Sequence, residues 1–153
     1  MTARAGIAIN SAGSRESRET GIRCVFLTCF DADFRIFAQL LRFGGIRMYR
    51  ADTIGEADFL LTVTESRVFL CDTVFLDGTC VLAAEMIRTV HPTVGFVLVS
   101  ADADDACWDE ALRLSILTVR RPLRMDELRH AIRRAHEITE ERLWRGDFLK
   151  RDP

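Results

Sequence analysis

The stretch Cys24-Val25-Phe26-Leu27-Thr28-Cys29-Phe30-Asp31-Ala32-Asp33 decides how the rest of the chain is read. Its first seven residues are almost continuously apolar, and the run stops at acids. A strand covered on both faces has that character, because a strand wetted on one face alternates polar and apolar residues. Just beyond, Phe34, Phe37, Leu40 and Leu41 recur at helical spacing, with Asp33 placed to cap them and Gly44-Gly45 to stop them. A buried strand, a polar turn and an amphipathic helix thus follow one another directly.

The same alternation repeats along the chain. A second strand is predicted over 46–49, and Thr53 caps a helix bearing Ile54, Ala57, Phe59, Leu60 and Leu61. A third strand over 68–71 ends at Asp72, and a helix over 79–91 turns Val81, Leu82, Ala84, Met86, Ile87 and Val90 inward. A fourth strand over 94–99 ends at Ser100-Ala101, a helix follows over 102–114, and Arg121-Pro122 breaks a fifth strand over 116–119. The last helix runs over 125–144, with Leu128, Ala131, Ile132, Ala135 and Ile138 as its apolar stripe. That pattern reaches on through Leu143, Trp144 and Phe148, farther than packing on a small sheet requires, so either these residues fold back onto their own domain or a second copy of the chain pairs through this helix. Short apolar strands alternating with helices predict an α/β fold: a flavodoxin-like, doubly wound five-stranded parallel sheet with helices on both faces. The domain is read as 23–146, between a flexible N-terminal tail over 1–22, rich in Ser, Gly, Arg and Glu, and a C-terminal tail over 147–153.

The chain has 153 residues, 48% of them hydrophobic and 29% charged, which is enough to bury one ordinary core. A net charge of −2 argues against a nucleic-acid or anionic-membrane partner. No apolar run is long enough to span a bilayer and the start lacks a secretory signal, so a cytoplasmic location is expected. Cys24, Cys29, Cys71, Cys80 and Cys107 form no C-x-x-C pair and read as reduced core residues. His91, His130 and His136 share no spacing with acids or cysteines that would assemble a metal site. No G-x-G-x-x-G follows the first strand, which removes the main support for a dinucleotide site.

In doubly wound sheets, binding and chemistry gather at the carboxyl ends of the strands. Here those ends supply Asp31, Asp33, Asp72, Ser100-Ala101 and Arg121-Pro122. An aspartate closing the third strand, a hydroxyl residue and alanine closing the fourth, and a base and proline closing the fifth resemble the receiver domain of two-component response regulators. The resemblance covers about 24–136. It implies a signalling module rather than an enzyme, with Asp72 as phosphoacceptor attacking a phosphohistidine or a small phosphodonor to form an acyl phosphate. Ser100 would bond a phosphate oxygen and Arg121 would neutralise phosphoryl charge. The Arg121-Pro122 peptide would be cis, as the basic-Pro peptide of that family often is. The implied partners are a sensor histidine kinase or phosphotransfer protein and a downstream protein target, with Trp108 contributing to the surface through which such domains pair.

The sequence departs from the family pattern at three places. Cys29 and Phe30 stand where the family carries a Mg²⁺-binding acid pair, which leaves Asp31 and Asp72 as the candidate Mg²⁺ ligands and Phe30 to fill and dry the pocket. Arg121 replaces a lysine, and its planar fork suits a permanent pair with Asp72. The loop from Asp72 to Gly78 is shorter than usual and lacks a proline, and Thr118 takes the place of an aromatic switch residue. Two readings follow: a stand-alone phosphorelay receiver that uses Asp72, or a phosphorylation-independent pseudo-receiver whose site is frozen by Phe30 and Arg121. A flavodoxin-like, flavin-binding electron carrier is the alternative of another class, and it lacks a Ser/Thr-rich phosphate loop after the first strand.

Overall fold

Strands apolar on both sides require a helical layer on each face of their sheet, and the computed structural model, which describes residues 21–75, 78–100 and 116–151, shows both layers. In chain order its elements are β1 (Ile22–Leu27), α1 (Asp31–Arg42), β2 (Ile46–Ala51), α2 (Ile54–Val63) and β3 (Val68–Asp72). They continue with β4 (Val74–Phe75), β5 (Gly78–Thr79), α3 (Cys80–Val90), β6 (Gly95–Ser100), β7 (Leu117–Arg120) and α4 (Met125–Arg151). The tail over 1–20 and the helix expected over 102–114, with Cys107 and Trp108, lie outside the described residues.

The main sheet has the order β2-β1-β3-β6-β7 and every pair in it is parallel. The chain steps outward from β1 to β2, returns across β1 to β3, and then continues in the other direction. That reversal opens a crevice at the carboxyl ends of β1 and β3. The fold is therefore the expected flavodoxin-like one. Where the sequence suggests only a loop after Asp72, β4 and β5 pair antiparallel, Val74 with Thr79 and Phe75 with Gly78.

Alternate residues of each strand feed different cores. Val25, Leu27, Phe69, Cys71 and Leu98 pack under α2 and α3, while Cys24, Phe26, Leu70, Val97 and Val99 pack under α1 and α4. In the first core the rings of Phe69 and Phe96 meet edge to face, with centroids 5.1 Å apart. Gly95 lets α4 lie directly on β6, since a Cβ there would sit 2.3 Å from the carbonyl oxygen of Ala135.

The helix ends follow local chemistry with one exception. Thr53 caps α2 as expected: its hydroxyl accepts from the Glu56 N–H at 3.1 Å, while Glu56 Oε1 accepts from the Asp52 N–H at 2.9 Å. After α1, Gly45 adopts a φ of 81°, the left-handed turn expected of the Gly-Gly stop. The exception is Asp33, which does not cap α1. The helix starts earlier, at Asp31, with Phe30 at its N-cap and no side-chain cap, so Asp33 lies in the first turn with its carboxylate free for a distant partner.

On α4 the inward stripe is Leu128, Ala131, Ile132, Ala135 and then Thr139, while Ile138 is only half-buried. Thr139 tolerates burial because its hydroxyl bonds the carbonyl of Arg67 at 2.7 Å and lies 3.2 Å from that of Ala135. The helix runs past Trp144, which is 68% exposed, to Arg151. Cys24 and Cys71 are buried free thiols and Cys29 an exposed one, but Cys80, expected to be reduced, is disulfide-bonded. No helix among the described residues is long and apolar enough to cross a membrane.

Candidate functional site

Asp72, Ser100 and Arg121, far apart along the chain, meet at the carboxyl ends of β3, β6 and β7. Asp72 closes the central strand and is 2% exposed; Ser100 closes β6 and is equally enclosed. Arg121 follows β7 directly, and its backbone N–H donates to the Ser100 carbonyl at 2.8 Å, which continues the β6–β7 pairing by one residue. The Arg121-Pro122 peptide is cis, as the resemblance implied.

The Arg121 guanidinium turns inward onto Asp72. Its Nε donates to Asp72 Oδ1 at 3.1 Å and its Nη2 to Oδ2 at 2.9 Å, so both carboxylate oxygens are engaged by one fork. Nη1 donates to Asp33 Oδ2 at 2.6 Å. The Phe30 ring lies against the same guanidinium, 4.4 Å from Cζ to the ring centroid. Phe30 is 45% exposed, so it does not fill and dry the pocket as expected. It shields the ion pair from outside while Arg121 takes the interior.

Thr28 completes the site. Wholly buried just past β1, it hydrogen-bonds the Asp72 carboxylate, and its Oγ1 accepts from the Phe30 N–H at 3.1 Å. Burial pushes the Asp72 carboxyl above its usual range, against the opposing pull of hydrogen bonds from Arg121 and Thr28 and of the Arg121 charge; the nearby negative charge of Asp33 adds to the rise. Burial pulls the Arg121 guanidinium down, but its bonds and charge pairing with Asp72 and Asp33 outweigh that and hold it above its ordinary value. The pair is a closed, largely buried unit of low local dielectric.

Asp31 is not brought into this unit. Its carboxylate is held by Arg35 at 3.0 Å and by Arg50 at 3.5 Å, on the outer side of the α1 start. The acid that joins Asp72 through a shared cation is Asp33, expected to be only a helix cap. Among the described residues no group of three or more His, Cys, Asp or Glu side chains is arranged to hold a metal ion. Mg²⁺ takes one or two carboxylates and several waters. Cys29 and Phe30 supply no carboxylate, and although Asp33 lies near Asp72, the Arg121 guanidinium engages both acids, so a cation beside Asp72 would have to displace that fork.

The strand order and the residues at the strand ends give a receiver-like α/β arrangement in which the Arg121 guanidinium lies on Asp72. No protein-family model matches the chain, and no curated protein matches it in sequence. Solved structures match it well in shape. The structure titled adenylate cyclase from Rhodopirellula baltica aligns with a TM-score of 0.76 at 14% identity, covering 85% of this chain and 98% of that one. The signal receiver domain of an HD domain-containing protein from Pseudomonas fluorescens Pf-5 aligns at 0.71 and 18%, covering 79% and 98%. A CheY-like response regulator receiver domain protein from Methanospirillum hungatei JF-1 aligns at 0.70 and 18%, covering 80% and 98%. The chain has the CheY-like receiver fold.

Proposed function

We propose that the chain is a receiver-fold signalling module that works by binding other proteins and holds its phosphoacceptor position, Asp72, in a standing ion pair that makes phosphate unnecessary. One observation carries this reading: the guanidinium fork of Arg121 on both Asp72 oxygens, at 2.9 and 3.1 Å. An acyl phosphate forms when a carboxylate oxygen with a free lone pair attacks phosphorus in line. Here both carboxylate oxygens are engaged by the guanidinium, the approach is flanked by Phe30, and a phosphodonor or a metal would have to displace the Arg121 fork. The same guanidinium supplies from within the positive charge that a metal would supply from outside. Ser100 and Arg121 thus act as structural neighbours of Asp72, not as phosphate ligands.

Within two-component signalling, such a module takes its place beside a sensor histidine kinase, a phosphotransfer protein or a downstream target by contact alone. The exposed Trp144 on α4 is the feature that supports pairing of two copies through the last helix. Enzyme activity is not part of this reading, and the name of the cyclase structure is not extended to this chain. The flavin-carrier alternative loses ground because Arg121 lies in the switch-point crevice, with Phe30 against its outer side.

Intact mass after incubation with acetyl phosphate and Mg²⁺ tests the proposal. The expected result is an unmodified chain. A phosphoryl adduct that disappears in Asp72→Asn would overturn it and restore the phosphorelay receiver.

A further inference from the structure

At the opposite end of the sheet, where β1, β2 and β3 begin, the surface sinks into a cleft of about 590 Å³. Its charged lining is unequal: four arginines, Arg23, Arg42, Arg47 and Arg67, face two glutamates, Glu65 and Glu140. Two of the arginines are matched locally. Arg67 hydrogen-bonds Glu140, and Arg23 lies 3.9 Å from Glu65 while donating to the Thr64 carbonyl at 3.1 Å. Arg42 and Arg47 have no side-chain partner among the described residues.

We infer that this cleft is a binding site for a phosphorylated small molecule. The chain as a whole carries a net charge of −2, so two unmatched guanidiniums in one hollow run against the overall balance. Their mutual repulsion is relieved by an anion of two charges, the number left when four arginines are set against two glutamates. Guanidinium forks match the oxygens of a phosphate monoester in pairs. Arg42 is the last residue of α1 and Arg47 lies on β2, so the two side chains reach the cleft from different elements. The volume falls within the ~300–1,000 Å³ of small-molecule sites and exceeds what a bare phosphate fills, which leaves room for an organic body. His136 joins the wall from α4, with Nε2 3.3 Å from Glu140 Oε1 and a buried Nδ1 that has no partner.

The site is independent of Asp72 and of the signalling reading above. Titration calorimetry of the full chain at physiological chloride, with inorganic pyrophosphate and then a sugar monophosphate as probes, tests it. Saturable binding of at least one probe is expected, weakened about tenfold or more in Arg42→Gln and in Arg47→Gln. Both arginines are exposed, so the variants keep the fold. Arg124→Gln, which removes the same charge from an exposed position outside the cleft, is expected to leave the affinity within about twofold. No saturable heat with either probe, an equal loss in Arg124→Gln, or binding confined to phosphatidic acid vesicles would overturn the inference.

Discussion

Replacing Arg121 with alanine removes the cation from a carboxylate that is 2% exposed. Breaking a buried ion pair by deleting one partner costs about 3–5 kcal/mol, because the other charge is left without compensation. The bond from Nη1 to Asp33 adds little to that figure, since the Asp33 side chain is 48% exposed and water screens the pair. Asp72 has one escape, which is to bind a proton. That costs ~1.36 kcal/mol for each unit between the working pH and the unfolded carboxyl's value near 3.9, or about 4 kcal/mol near pH 7. The two limits agree, so Arg121→Ala is expected to lose about 3–4 kcal/mol at about pH 7.

The sign of the pH dependence follows from the same group. In the variant the folded carboxyl titrates well above the unfolded one, so the folded state binds its proton more tightly. The destabilisation is complete above the folded value and fades as pH falls toward the unfolded value, by up to ~1.4 kcal/mol per unit. Urea denaturation of the two proteins near pH 7 and again near pH 5 is expected to show the gap closing to about 1.5 kcal/mol. The double variant Arg121→Ala/Asp72→Asn is expected to return within about 1 kcal/mol of the parent at both values, because no buried charge remains. A single variant within about 0.5 kcal/mol of the parent, or a loss that ignores pH, would refute the closed ion pair and the function built on it.

Gly95→Ala drives a Cβ to 2.3 Å from the Ala135 carbonyl, and thermal unfolding should register a loss of about 1–3 kcal/mol; an unchanged midpoint would mean that α4 does not rest on β6. Phe30→Ala removes the ring over Arg121 and is expected to cost about 0.5–1 kcal/mol in urea unfolding, with no pH dependence of its own. Thr139→Val removes the hydroxyl bond to the Arg67 carbonyl, which keeps the Gly95 N–H at 2.9 Å, and a loss of about 0.5–1.5 kcal/mol by chemical denaturation is expected. Burial, aided by the Arg67 charge, lowers the His136 pKa below 6.5 against the pull of Glu140 and Glu137. The unfolded chain therefore takes up that proton first, and stability should fall as pH drops below 6.5 and level off below the folded value, a component absent from His136→Gln.

Sequence reading reaches the fold because each strand is a short apolar run closed by a residue of distinct chemistry: Asp72, Ser100 or Arg121-Pro122. It also brings those three together correctly, since the doubly wound topology places strand ends side by side. It misses Asp33, because an aspartate before an apolar helix has an ordinary local role, whereas its bond to Arg121 joins residues 88 positions apart. Thr28 is missed for a related reason: inside an apolar run it reads as one more strand residue, and only the position of Asp72 gives its hydroxyl a task. Phe30 is assigned to the pocket because it stands where the family carries an acid, whereas Arg121 takes the interior and leaves the ring the outer side. On α4 the helical period fits Ile138 and Thr139 equally, and Thr139 can be buried because its hydroxyl reaches the carbonyls of Arg67 and Ala135.

The close seat of α4 on β6 has a mechanical consequence. A helix of 27 residues is about 40 Å long, about twice the reach of a six-residue strand. Ala135, which meets Gly95, lies in the first half of that length, so the helix acts as a lever whose fulcrum is set toward its N-terminal end. Because Gly95 interposes no side chain there, a tilt of the helix is delivered to the backbone of β6 with little cushioning.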